Sequence, residues 1–330
     1  LRAGLPPIAR DAAPAALLHV LVRDSAQLIA LLDQDASLRP AAIYADFEDV
    51  RRYPEAVAQC RARGIPIALA TLRIVKPGEE GFLKQVSDCN PDALLVRHLG
   101  AIHYYQSRAP HLPLIGDFAL NIANELTAKI FLDAGLIRMV PSYDLNWTQL
   151  AAMLRRFDPA RFECVVHQHM PMFHMEHCVF AHTLSNGTDF RTCGRPCERH
   201  SVDLVDRVGE AHPLIPDVGC RNTLFNAQAQ SAAEFLPLMQ QIGLQHFRIE
   251  LLREDAPATL ELLRTYTDLL ASPANLQDAA QAAGAPSGGT MDSRSQLHRP
   301  VQTTHTPRTA ARSLKVLAGF GVTRGTLDHE

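Results

Sequence analysis

A short apolar run rich in Val, Ile and Leu, a polar turn and a stretch with helical spacing recur along most of this 330-residue chain. The runs fall at residues 17–22, 42–47, 66–72, 93–99, 112–120, 138–142 and 162–167, with an eighth at 246–252. The first seven begin roughly 20 to 27 residues apart, which is the length of one strand plus one helix. The helical stretches carry their own punctuation. Asp24 or Ser25 caps the first of them, residues 121–132 show one apolar face, and Gly135 follows as a C-cap. The segments that start at Trp147 and Pro257 behave likewise. Seven βα units, an insertion and an eighth unit predict an α/β chain folded as a (β/α)8 TIM-like barrel over residues 17–275. An open doubly wound sheet alternates similarly, but eight strands can be counted and no glycine-rich phosphate fingerprint follows the first.

Residues 1–16 form a Pro- and Ala-rich lead-in, and residues 276–312 have the composition of a flexible linker. Residues 313–330 turn apolar again, as a segment able to dock back onto the domain. A formal net charge of −3 gives no overall pull towards nucleic acid and leaves only a local basic patch for such a role. No apolar run is long enough to span a bilayer, and the signal-peptide order of charge, apolar run and small residues is missing. Seven cysteines, an odd number, argue for a reducing compartment over a secreted disulfide framework, so a cytoplasmic location is expected. Leu1 in place of Met is what the latter part of a longer polypeptide would show.

Four of the cysteines fall in the insertion before the eighth run, as Cys178-x14-Cys193-x3-Cys197-x22-Cys220. Their neighbours Arg191, Thr192, Gly194, Arg195, Glu198 and Arg199 are polar loop residues, a poor setting for cysteines that merely pack. Four soft thiolates suit tetrahedral zinc or an iron–sulfur cluster. Zinc usually takes two close pairs. Here only Cys193 and Cys197 are close, and one pair with two distant single ligands suits a cube in which each iron has its own cysteine. The spacing therefore predicts a [4Fe-4S] cluster on Cys178, Cys193, Cys197 and Cys220, within a cysteine-rich region at 170–225, with zinc as the alternative. Cys60, Cys89 and Cys164 lie in helical, loop or strand stretches outside this block and are not expected to be ligands.

In such a barrel the chemistry sits at the C-terminal ends of the strands, so the polar residues closing each run are candidates. They are Arg23, Asp46, Arg73, Arg97 with His98, Asp117 with Asn121, Ser142 with Asp144 and Asn146, His167 with His169, and Glu250. Arginines converging on one rim grip carboxylates or phosphates through a planar two-bond fork. The competing role is a salt bridge to Asp46, Asp117 or Glu250 on a neighbouring strand. His167, His169, His174 and His177 are able to serve as metal ligands or general acid/base groups, or simply to pack as satisfied polar side chains. Arg73, Arg97, Asp117, His167, His169 and Glu176 are the candidate catalytic residues.

The stretches 170–180, 192–198, 204–209 and 217–222, which carry the four cysteines with Glu176, Gly209 and Asp217, resemble the peptidase U32 family, the collagenase-like protease group, most of all its long members. The likeness covers about residues 17–270 and extends to 322–327. This resemblance implies that the four cysteines hold a [4Fe-4S] cluster. It also implies oxygen-independent hydroxylation of a tRNA or ribosomal RNA base, or of an aromatic ring such as that of ubiquinone. An anionic co-substrate such as prephenate is implied as oxygen donor for some members, with the electron donor unnamed, and the arginine rim would meet that anion or an RNA phosphate. The alternatives are a U32 collagenase-like peptidase and a non-catalytic RNA-binding or assembly factor. The residues give the peptidase no support, since HExxH and GxSxG motifs are both missing. One departure concerns the ligand set: related long members often carry a further cysteine where this chain has Ala181.

Overall fold

A strand stands in each of the eight apolar runs. The computed structural model describes residues 15–271, so the predicted linker at 276–312, the segment at 313–330 and nearly all of the lead-in lie outside the described residues. In order, the elements are β1 (Leu17–Val22), α1 (Ser25–Leu32), β2 (Ala42–Ala45), α2 (Tyr53–Ala62), β3 (Ile67–Ala70), α3 (Glu80–Asp88), β4 (Ala93–Val96) and α4 (Leu99–Arg108). Then follow β5 (Leu114–Gly116), α5 (Glu125–Asp133), β6 (Leu136–Met139), α6 (Trp147–Arg156), β7 (Glu163–Met175) and α7 (Val179–Leu184). The described chain finishes with β8 (Val202–Val205), β9 (Ala211–Pro216), β10 (Asn222–Ser231), α8 (Leu236–Ile242), β11 (His246–Glu250) and α9 (Ala256–Ala271).

These strands make one curled, parallel-rich sheet of eleven, ordered β6-β5-β4-β3-β2-β1-β11-β7-β10-β9-β8. Where the curl brings β6 towards β7, a single parallel bridge joins Met139 to Phe162. The outward residues of the strands, such as Val20, Ile43, Leu69, Leu94 and Ile249, pack under the helices in the main apolar core. Each such side chain contributes about 1.5–3 kcal/mol by leaving water. Caps fix where helices start. The Asp24 side chain accepts from the Gln27 N–H at α1, and Asn146 with Gln149 forms a capping box at α6. The predicted helix at 121–132 begins later, at Glu125, because Asn121 takes a left-handed backbone and Asn124 supplies the cap.

The largest departure from expectation is β7. It runs for 13 residues, well past the predicted end at His167, and beyond the mouth of the curl it pairs antiparallel with β10. A bulge interrupts its pairing with β11: Arg248 faces Val165, whereas Ile249 faces His167. One extra residue reverses the alternation from that point. His167 therefore lies against α9, its Nδ1 3.4 Å from the Tyr266 hydroxyl, instead of facing the mouth as predicted.

Burial holds the imidazole of His167 near a pKa of about 3, and does the same to His19, which stacks on His246 across a 2.9 Å hydrogen bond. Both are neutral when folded and gain a proton near pH 6.5 when unfolded, so stability falls as pH drops from 6.5 towards 3. Each contributes a slope of about 1.4 kcal/mol per pH unit over that window. Denaturant unfolding of the parent and of His167→Gln between pH 7.5 and 5.5 should show a shallower slope in the variant; identical slopes would mean that His167 protonates in the native state.

Candidate functional site

Inward-facing positions of the curl carry ions where an apolar filling is usual. Tyr44 and Asp46 share the inner face of β2, as do Leu95 and Arg97 at β4, Ile115 and Asp117 at β5, and Arg248 and Glu250 on β11. Their charges interlock. Arg97 donates from Nε to Asp117 at 2.9 Å, forks onto both Asp46 oxygens at 2.7 and 2.8 Å, and reaches the Thr71 carbonyl at 3.2 Å. Arg248 reaches Asp117 at 2.9 Å, Glu163 at 3.0 Å and Glu250 at 2.9 Å. Arg23 closes the ring through Asp46 and Glu250, while Arg138 and the Tyr44 hydroxyl each sit 2.7 Å from Glu163. Burial alone would raise the acids, yet the arginines outweigh it: Glu163 titrates near 2 and Asp46 lies well below the usual carboxylate range.

The predicted convergence of Arg23, Asp46, Arg97, Asp117 and Glu250 is therefore present, but its role differs from the expected one. Arg97 has four of its five N–H donors committed within the protein, so it is a buried tie and not an anion clamp. Asp117 is likewise consumed by Arg97 and Arg248. His98 and Asn146 are helix caps rather than rim groups.

Arg73 is different. Its guanidinium stands 5.1 Å over the Phe118 ring and is held by no carboxylate among the described residues. Burial, then the neighbouring Arg97, pulls its pKa down. It lines a small chamber of about 40 Å³ between the mouth of the curl and the hairpin built from β7, β9 and β10. Two further groups there make no hydrogen bond and face each other: His174 Nε2 and Asp217 Oδ2, buried and 3.7 Å apart. The other nitrogen of His174 meets Thr223 Oγ1 at 2.8 Å. Burial, reinforced by Arg73, lowers His174 to about 4, and burial raises Asp217 to about 6.

A second cavity of about 820 Å³ lies on the far side of Asp217 and is lined by Cys178, Cys193, Cys197 and Cys220. Backbone N–H groups already point at two of the sulfurs: Ala181 at Cys178 and Arg195 at Cys193, each at 3.4 Å. Burial pushes the Cys197 thiol up to about 11, with Glu48, Cys178 and Cys220 adding to the effect. No three His, Cys, Asp or Glu side chains among the described residues surround one point closely enough for a single metal ion. A cubane spreads its cysteine ligands around a body several ångströms across, one per iron. Four cysteines lining one shared cavity, two of them with sulfurs that receive N–H groups, are a donor set that fits that group. Cys60 and Cys164 are buried elsewhere, and Cys89 caps α3.

Arg221, next to Cys220, is buried and ties this segment down. It donates from Nε to Glu176 at 2.7 Å and from Nη2 to Glu79 at 2.8 Å, while Lys76 also holds Glu176. Glu176, named above as a catalytic candidate, is thus a half-exposed bridge whose pKa those partners lower. His169 stays at the rim, bonded through Nδ1 to the Asn226 carbonyl at 2.8 Å. Sequence reading missed Glu79, and placed Arg221 and Asp217 only within a motif. Nothing local marks Glu79, whose partner lies 142 residues away.

Residues 17–299 match the model described as Peptidase family U32. The chain belongs to that family. This U32 chain is 24% identical over 153 residues to the tRNA hydroxylation protein P of Helicobacter pylori strain J99, a match covering 45% of this chain and 36% of that protein. The same-named protein of strain 26695 is 23% identical over a stretch of the same coverage. The chain thus matches little more than a third of these relatives' length. Among solved structures, the U32 peptidase Mk0906 aligns with a TM-score of 0.43 and 10% identity, over 76% of this chain and 98% of that one. The Rhizomucor miehei chitinase RmChi1 gives the same TM-score at 12% identity, over 77% and 99% of the two chains. No helix among the described residues is long and apolar enough to cross a membrane.

Proposed function

We propose that this U32 chain is an iron–sulfur protein that takes part in the oxygen-independent hydroxylation of a tRNA base, with its curled sheet working as a closed (β/α)8 barrel. The observation that carries the reading is the set of four cysteines lining one cavity of about 820 Å³. That volume lies within the range of pockets that bury a whole ligand, so it has space for more than the thiols' own group. An RNA base has to leave its stack to enter such a cavity. The relatives named for tRNA hydroxylation support RNA over a free aromatic ring as the substrate. The Met139–Phe162 bridge supports closure of the barrel.

Cys178, Cys193, Cys197 and Cys220 would hold the cluster, which when bound supplies one-electron redox chemistry. The rest falls to the protein's own side chains. The interlocked arginines and acids fix the mouth rigidly, Arg221 holds the cysteine segment over it, and an oxygen donor of the prephenate type would be anchored by its negative charge. Peptide hydrolysis has no comparable support: burial pushes Cys60 and Cys164 to about 12, far from an activated nucleophile.

The test is to express the chain in cells lacking their own tRNA hydroxylation protein and to weigh the tRNA nucleosides. Recovery of a nucleoside heavier by one oxygen atom is expected from the parent and not from Cys220→Ser. Full recovery by the serine variant would exclude the cluster from the reaction.

A further inference from the structure

We infer that Asn222 donates a hydrogen bond to the sulfur of Cys178 when the four cysteines hold their cluster, and that this bond raises the cluster's reduction potential. Asn222 is fully buried, and its Nδ2 meets no acceptor among the described residues. The other end of the amide is fixed: Oδ1 accepts the N–H of Val179, the residue after Cys178, at 2.7 Å. Only the oxygen of a carboxamide accepts an N–H, so the end left without a partner is the donating one. A buried N–H group without an acceptor is costly, and native interiors leave few of them. The inference rests on the cluster reading given above.

The strands hold that amide in place. Asn222 begins β10, paired with Met175 of β7 on one side and with Pro216 of β9 on the other. Side chains alternate along a strand, and Thr223 and Phe225 line the small chamber, so Asn222 and Leu224 face the opposite way. On that side Leu224 packs with Phe180 and Leu214 in a small apolar cluster, and Cys178 and Cys197 rest against it. Just before the strand, Asp217 Oδ1 accepts the N–H groups of Gly219 and Arg221 at 2.9 Å each. Cys220, between them, takes a left-handed backbone with a φ of 59°. A non-glycine residue held there is strained, and such strain gathers at functional sites.

Chemistry supplies the acceptor. Sulfur accepts weakly as a thiol, but a metal-bound thiolate is charged and takes the stronger, charge-assisted bonds. Cys178 already receives one such donor, the N–H of Ala181, and the bond to Val179 ties the Asn222 amide to the same corner. A donor on a ligand sulfur stabilises the more negative, reduced state most, so it raises the potential. Its loss makes the cluster harder to reduce without removing any ligand.

Redox titration of the full chain prepared without air, followed through the EPR signal of the reduced cluster, tests the bond. Iron, sulfide and melting temperature are measured alongside. Asn222→Ala removes the donor without adding charge. It should keep its iron and lower the ratio of reduced to oxidised protein at a given potential by about tenfold, or about 59 mV for a one-electron couple. Asn222→Asp keeps an oxygen for Val179 but puts a negative charge where the donor stood, so its potential should fall further. An unmoved potential in iron-loaded Asn222→Ala, or equal potentials in the two variants, would overturn the inference. Iron lost from either folded variant would overturn it too, by assigning Asn222 to the integrity of the segment. Parent protein without iron refutes the cluster and this bond together, whereas iron-loaded protein whose potential ignores position 222 refutes the bond alone.

Discussion

Replacing Arg97 by methionine is expected to lower the stability of the fold by about 3–5 kcal/mol, the usual consequence of removing one partner from a buried ion pair. For a domain of this size that corresponds to a fall in melting temperature of roughly 10 °C. The cause is what the substitution leaves behind. Asp46, partly open to the small chamber, keeps only Arg23, and the buried Asp117 keeps only Arg248. Arg73→Met makes the instructive contrast. It removes a cation that no carboxylate holds, so melting should stay level or rise. Differential scanning calorimetry of the pair decides the matter, and equal losses in both would show that Arg97 is not a structural tie.

The second large effect concerns iron. Protein prepared without air should carry about four irons and four sulfides per chain and absorb as a cubane does. Serine at any one of Cys178, Cys193, Cys197 or Cys220 should reduce the iron to a small fraction of that. Serine at Cys60 or Cys89, or alanine at Cys164, should leave it intact, since Cys60 and Cys164 are buried, Cys89 ends α3, and none of the three lines the cavity. One zinc with no labile sulfide in the parent protein would replace the cluster by a mononuclear site.

Much of this was legible in the residues because period and caps are local properties. Eight apolar runs marked eight strands and Asp24 marked the first helix, whereas Asn146, read as a rim residue, turned out to cap α6. The four cysteines could be grouped by spacing alone, and they do face one cavity. What escaped depends on partners distant in the chain. Arg73 and Arg97 look alike at the ends of neighbouring runs, yet one is unpaired and the other is locked, a difference decided by which acids stand across the curl. His167 was misplaced because a single bulge turns it outward, and no residue type announces that bulge.

The bond from Arg221 to Glu79 bears on inheritance. It joins the cysteine segment to the turn before α3, across 142 residues of chain. The cysteines are therefore not a cassette that recombination can move intact into another barrel. A transplant that carried residues 170–225 but met a neutral side chain at position 79 would bring its buried arginine without that counter-charge. Drift at the two positions should be correlated, with charge reversal or neutralisation at one tolerated only in lineages that change the other.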